Sequence, residues 1–374
     1  MTVGRAVTLA FLLQVASAGA IAAQADTSAP GHTPTHYDIT LIRSDTGAHV
    51  LLEVETTWRL GSALPVVVGL DSAFRVVRVF VDGKPNTRIS RTQFARSAED
   101  VLVPQEKAAG DSLTTRIRYH GVPRGGVRAG PNIDGARTLV AETMTVDPAT
   151  WLPVPEPSLR SAKITFHIQA DSGERAIANG GLTKVDTLAY GHSRWDFELD
   201  RTVPLTAIAA AAGPYAVTRW PESFCSNLIG PSRPLVRCPA VGVWTWTGDS
   251  AFAANGPFRR AYSISAFFGS NLGPLPYPSV THVEAAVAQP IAGASVILYP
   301  EARLRDHSLD EATVARETAR QWLRPDAPDS VATYLAKLWA SNTGKKPLQP
   351  AELASVRPFL RPAQVAPVPP LVPR

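Results

Sequence analysis

Short alternating runs fill the first half of the chain. Residues 50–56 and 113–119 mix apolar and polar side chains at a period near two, the spacing of a strand with one wet face. Residues 66–68, 76–81, 163–170 and 193–199 read the same way, and the run 76–81 ends at Asp82-Gly83, a hairpin turn signal. Many short strands at roughly ten-residue spacing predict an antiparallel β-sandwich over residues 36–218. The glycine-rich stretch 121–135 is expected to be a surface loop.

Beyond residue 218 the pattern changes, and residues 219–345 read as an α/β domain. Residues 249–268 suit a helix that Gly256-Pro257 breaks early, while 280–287 and 295–299 read as strands. Ser308-Leu309-Asp310-Glu311 is a capping-box pattern that opens a helix running to about Leu323, before Pro325. Its apolar stripe is Ala312, Ala315, Ala319, Trp322 and Leu323. Arg316 and Arg320 lie at one edge of the stripe and Glu317 beyond them. A second helix starts near Ser330, carries Val331, Tyr334, Leu335, Leu338 and Trp339 on one face, and stops at Gly344. Asp329 or Ser330 is a suitable N-cap for it. Residues 346–374 are expected to be a proline-rich tail, extended from Arg357 onward. Trp322, Leu323, Leu338 and Trp339 offer more apolar surface than one helix pair covers. An exposed face for a partner or for self-association is therefore expected.

Composition narrows the class. A chain of 374 residues suits two domains, and 33 prolines suit short strands joined by turns. The formal charge of +5 is not gathered into a basic run, which argues against a nucleic-acid partner. Arg5, the apolar stretch 6–15 and the small-residue sites Ala16-Ser17-Ala18 and Ala23-Gln24-Ala25 read as a signal peptide over residues 1–25. An uncleaved anchor is the alternative. No later stretch is long and apolar enough to span a membrane, so a secreted or periplasmic protein is expected. Cys225 and Cys238 would then form a disulfide around a loop containing Gly230, Pro231 and Pro234.

Several segments, taken in order, resemble the aminopeptidase N family of zinc metallopeptidases, the gluzincins. His36-Tyr37-Asp38-Ile39 is similar to that family's opening H-Y-D-L strand. Trp151 to Pro157, followed by Ala162-Lys163-Ile164-Thr165-Phe166, is similar to its W-x-P-x-x-D-x-P…K-A-T-F stretch. Ala178-Asn179-Gly180-Gly181-Leu182 resembles its S-N-G-x-L turn, and Gly213-Pro214-Tyr215 its G-x-Y domain end. Leu275-Pro276-Tyr277-Pro278 resembles its entry into the catalytic domain, and Glu317-Thr318-Ala319-Arg320-Gln321-Trp322 closes the series. The resemblance spans roughly residues 36–345 and implies an α+β protein: a β-sandwich, then a thermolysin-like α/β domain. It implies that this domain is cut short and that the family's C-terminal helical domain is missing.

What the resemblance implies about chemistry is mostly loss. The family's H-E-x-x-H helix supplies two zinc ligands and a general base. Here Glu317 holds the general-base position, vestigially, and Arg316 and Arg320 stand where the histidines would be. Arginine offers only N–H donors and no lone pair to a metal. Asp329 is the nearest counterpart of the third ligand, but too close to Arg320 in sequence. Val296 falls at the glutamate that grips the substrate amine. Glu142 falls where another amine-binding role is implied, against a plain reading as a solvated strand end. No zinc or other cofactor is expected. His307 and His282 are the histidines that could rescue a site, and the rest are scattered. The leading expectation is an inactive metallopeptidase-like binding module for an extended peptide or a protein partner. The alternative is a zinc-dependent aminopeptidase with atypical metal ligation.

Overall fold

Along Thr33–Arg43, Tyr37, Ile39 and Leu41 are buried while the residues between them stay partly open, as a period of two requires. This strand lies inside an eight-stranded sheet, ordered Gly181–Thr187, Ser193–Pro204, Ser161–Ala170, Thr33–Arg43, Val50–Arg59, Ser112–Gly121, Phe74–Val81 and Lys84–Pro85. The computed structural model describes residues 31–361, apart from 45–46, 87–89, 94–97, 104–105, 156–159, 222, 226–235, 239 and 343–347. The expected signal peptide and the last residues of the expected tail lie outside the described residues.

The expectation of a purely antiparallel sheet is corrected at its centre. Thr33–Arg43 and Ser161–Ala170 run parallel, with Ile39 opposite Phe166. Turn signals report only hairpins between successive strands, and these two are joined through everything between them. A three-stranded sheet (Val66–Asp71, Ala98–Val103, Ser90–Gln93) and a four-stranded sheet (Arg175–Ala178, Ala209–Gly213, Arg137–Glu142, Val127–Pro131) share one apolar core with the large sheet. The stretch expected as a loop contains the strand Val127–Pro131. Gly126, at φ +70°, leads into it. A Cβ there would stand 2.4 Å from the Trp151 ring, so the backbone can pass only as glycine.

The second part is a five-stranded sheet in the order Tyr215–Trp220, Ala240–Trp246, Ser279–Ala285, Val296–Pro300 and Ile291–Ala292. The three inner strands are parallel. Their alternation divides two cores. Trp244, Trp246, Val283, Ala285, Val296 and Leu298 face the first core, whereas Val241, Val243, Val280, Ile297 and Tyr299 face a second one under the helices.

The helices are α1 (Ser250–Asn255), α2 (Ala261–Leu272), α3 (Glu301–Arg305), α4 (Glu311–Ala319), α5 (Asp329–Asn342) and α6 (Pro350–Val356). Gly256 ends α1, as its sequence suggests. The cap of α4 is Asp310, which accepts from the Thr313 N–H at 2.8 Å, so the helix starts two residues after the expected Ser308. It also ends earlier than expected. From Gln321 to Leu323 the backbone N–H groups reach back three residues in tight turns.

Two expectations fail together here. Trp322, Leu323, Leu338 and Trp339 are all buried. Phe268 and Phe267 of α2 pack on Trp322 and Trp339, and the indole N–H groups donate to the Gly273 carbonyl and to Glu311. Residues 348–361, expected as tail, complete that cover. Leu348 and Val356 are in the second core, and Leu323 forms a bridge with Leu360. The expected exposed apolar face is closed by chain that composition alone marked as tail.

The side chains of Cys225 and Cys238 lie outside the described residues. The backbone register of Ser223–Cys225 with Val236–Cys238 sets Cys225 opposite Val236 and Cys238 opposite Ser223.

Candidate functional site

Helix α4 is short, and nearly all of its inner face is small. Val314, Ala315, Thr318 and Ala319 are buried against the sheet, and the Thr318 hydroxyl returns to the Val314 carbonyl at 2.7 Å. Glu317 is buried with them at 3% exposure, not beyond the edge as the helical wheel places it. Its carboxylate is held from both sides. Arg316 Nε lies 2.8 Å from Oε1, and Arg320 Nε lies 3.1 Å from Oε2. Burial raises the Glu317 pKa, and the two guanidiniums oppose that rise. Arg320 also pairs with Asp329 at the start of α5. The four candidate residues of this helix pair therefore do meet, as one ion-pair cluster.

The cluster floors a cavity of about 570 Å³. Its walls come from three directions: Met144, Thr145, Thr206 and Ala207 of the first part, the edge segment 289–292 of the second sheet, and the turn after α4 with Arg324 and Arg361. A second cavity, of about 430 Å³, shares Thr145, Gln289 and Ile291 with it and holds Glu142, Arg124 and Arg128. Glu142 is not a solvated strand end. It is buried, and it accepts from the Met144 and Thr145 backbone N–H groups at 2.7 and 2.9 Å and from the Thr145 hydroxyl. Val296 does not join the site. It is fully buried in an inner strand opposite Thr281, while Ile291 and Ala292 of the neighbouring edge strand line the cavity.

Alignment of α4 to the sheet depends on residues that a search for chemistry passes over. Gln321 accepts from the Ser295 N–H at 2.9 Å and donates to the Gly293 carbonyl at 3.0 Å. The Ser295 hydroxyl receives the Gly180 N–H, and Asn179 donates to the carbonyls of Ala207 and Ala294. Gly180 sits at φ +100°, and a Cβ there would lie 2.2 Å from the Glu198 carbonyl oxygen. The i, i+4 series Arg316, Arg320, Arg324 is a sequence signal for the charged rim. Nothing in the sequence placed Arg361 beside it.

The donor set offers a metal little. Arg316 and Arg320 have no lone pair to give, and Asp329 is largely exposed and paired to Arg320. Among the described residues, no group of three His, Cys, Asp or Glu side chains is arranged to hold a metal ion. His307 stacks on Phe252, with ring centroids 4.1 Å apart. His282 is fully buried, hydrogen-bonds the Tyr299 hydroxyl at 3.0 Å, and burial lowers its pKa to about 3. Neither lines the cavity. The residues present do not fit a catalytic zinc, which needs three ligands around an open position.

No protein-family model and no curated protein matches the sequence. Solved structures do match. An M1 zinc metallopeptidase from Deinococcus radiodurans superposes with a TM-score of 0.60 at 21% identity, over 84% of this chain and 72% of that one. A mutant two-domain M1 zinc metallopeptidase bound to L-arginine gives 0.61 at 21% identity over the same shares. A mutant from Deinococcus radiodurans bound to a Tyr-Ser-Ala substrate gives 0.60 at 20% identity. At this identity the likeness is one of architecture: the chain is a sheet-rich α+β protein with the fold of the M1 zinc metallopeptidases.

Proposed function

We propose that this chain is an exported binding protein built on a thermolysin-like metallopeptidase fold. In this reading it has given up zinc and peptide hydrolysis, and it keeps the cleft for an extended peptide. One observation carries the reading. Arg316 and Arg320 clasp the Glu317 carboxylate from both sides, where the aminopeptidase resemblance would place two histidines and a general base. Each fixed positive charge at about 5 Å, with an effective dielectric near 20, would repel Zn²⁺ by roughly 6–7 kcal/mol.

The peptide follows from the edge strand. Ile291–Ala292 is the last strand of its sheet, and its side chains line the cavity. A free strand edge beside a groove is suited to main-chain pairing with an extended segment.

The test uses the purified mature protein. Elemental analysis after incubation with zinc, and assays on aminoacyl chromogenic substrates, should show neither stoichiometric metal nor turnover. Immobilised peptide pools should bind saturably. About one zinc per chain together with chelator-sensitive hydrolysis would overturn the reading.

A further inference from the structure

We infer that the cleft recognises a carboxylate on its ligand, received by Arg361 with Arg324 beside it. The inference rests on the peptide-binding reading and names the chemical group on the peptide that is read.

The charges lining the main cavity do not cancel. Arg316, Arg320, Arg324 and Arg361 face it, against the carboxylates of Glu317 and Asp329. Those two carboxylates are already engaged with Arg316 and Arg320. Arg324 reaches Asp326, at 3.2 Å, an exposed residue outside the lining. Arg361 has no ion-pair partner among the described residues. Its guanidinium carbon lies 5.3 Å from the centre of the Tyr277 ring, and its Nε is buried without a hydrogen-bond partner.

The backbone at Arg324 and Arg361 is also held in place. The Arg361 N–H donates to the Trp322 carbonyl and the Arg324 N–H to the Phe359 carbonyl, both at 2.8 Å, on either side of the Leu323–Leu360 bridge. A backbone fixed in this way limits what their side chains lose on binding. A guanidinium without an ion-pair partner at a recess matches a carboxylate, which can accept two parallel hydrogen bonds from it. Thr206 and Gln289, also in the lining, supply a hydroxyl and an amide for a peptide main chain.

The experiment is calorimetric titration of the full mature chain with N-acetylated peptides of one sequence, carrying either a free C-terminal carboxylate or an amide. A third peptide has the amide end and an internal glutamate, and inorganic phosphate is a fourth probe. The free acid should bind at least about tenfold more tightly than the amide. Arg361→Gln should remove that difference, and Arg324→Gln should reduce it. Preference for the internal glutamate over the free terminus would assign the carboxylate to a side chain and keep the inference. Equal binding of acid and amide would overturn the inference and leave the peptide reading standing. Phosphate binding that depends on Arg361, with no peptide bound, would keep the anion site and end the peptide reading. No binding by any probe would overturn both.

Discussion

Gln321 reads the backbone around Ser295. Its side-chain oxygen takes the Ser295 N–H and its amide N–H goes to the Gly293 carbonyl, joining the turn after α4 to the hairpin that leads into an inner strand. Ser295 itself stands at φ +66°, unusual for a residue with a Cβ. The same serine receives the Gly180 N–H, so three separate segments meet there. Gln321→Ala would leave a buried N–H and a buried carbonyl without partners. The expected loss is about 2–4 kcal/mol of unfolding free energy, measured by urea titration. A loss below about 1 kcal/mol would show that water replaces the amide.

The Arg320–Glu317 pair should reveal itself by its pH dependence. Burial already raises the Glu317 pKa, so stability falls as pH climbs from the unfolded-state value toward the folded one. Arg320→Gln raises the folded pKa further and widens that window. The variant should lose about 1–3 kcal/mol near neutral pH, discounted for the one-third exposure of the arginine, and little near pH 4. Adding Glu317→Gln should recover much of the loss, since no buried charge then lacks its partner. A loss that is independent of pH would assign Arg320 to packing instead.

Restoring the two ring ligands is not expected to restore a peptidase. In Arg316→His with Arg320→His, two imidazoles would flank Glu317. Asp329 would remain largely exposed at the start of α5, and no third buried ligand is arranged with them among the described residues. Zinc should stay below one per chain and hydrolysis at background. Turnover that a chelator abolishes would show that the histidines were the sole loss.

A second pH response belongs to the large sheet. His167 lies between Asp196, 2.6 Å from Nδ1, and Asp38, 3.1 Å from Nε2, and Arg194 shares Asp196. The hydrogen bond to Asp38 leads in raising its pKa to about 9, against the ordinary 6.5. A raised histidine pKa contributes stability that is whole below about pH 6.5 and fades as pH rises through 9. Melting temperatures of wild type and His167→Gln should therefore differ most below pH 6.5 and converge above pH 9. A constant gap would mean that the cationic form is not the stabilising one.

The residues that carry the aminopeptidase resemblance divide in an informative way. Tyr37, Trp151 and Asn179 are fully buried, Trp151 donates to the Glu142 carbonyl at 2.9 Å, and Gln321 pins α4. These positions hold the architecture, so the resemblance stays readable through them. Arg316 and Arg320 stand where the resemblance would put zinc ligands, and Val296 where it would put an amine-binding glutamate. Their identities reported a changed donor set directly, because lone pairs belong to the side chain alone.

The sequence by itself determined strands such as Val50–Arg59 and Ser112–Gly121, because burying one face of a strand leaves a period of two in any fold, and it marked the break at Gly256 through the Gly-Pro pair. It also determined that Arg316, Glu317 and Arg320 share a helix. Which way that helix turns was a tertiary matter. The wheel weighs apolar residues and places Glu317 outside, but two guanidiniums compensate its burial and let the small face of α4 meet the sheet. The parallel pairing of Thr33–Arg43 with Ser161–Ala170, the seating of residues 348–361 over Trp322, and the arrival of Arg361 at the cavity were likewise decided only in three dimensions. Each joins segments far apart in the chain, and no local periodicity encodes the partner.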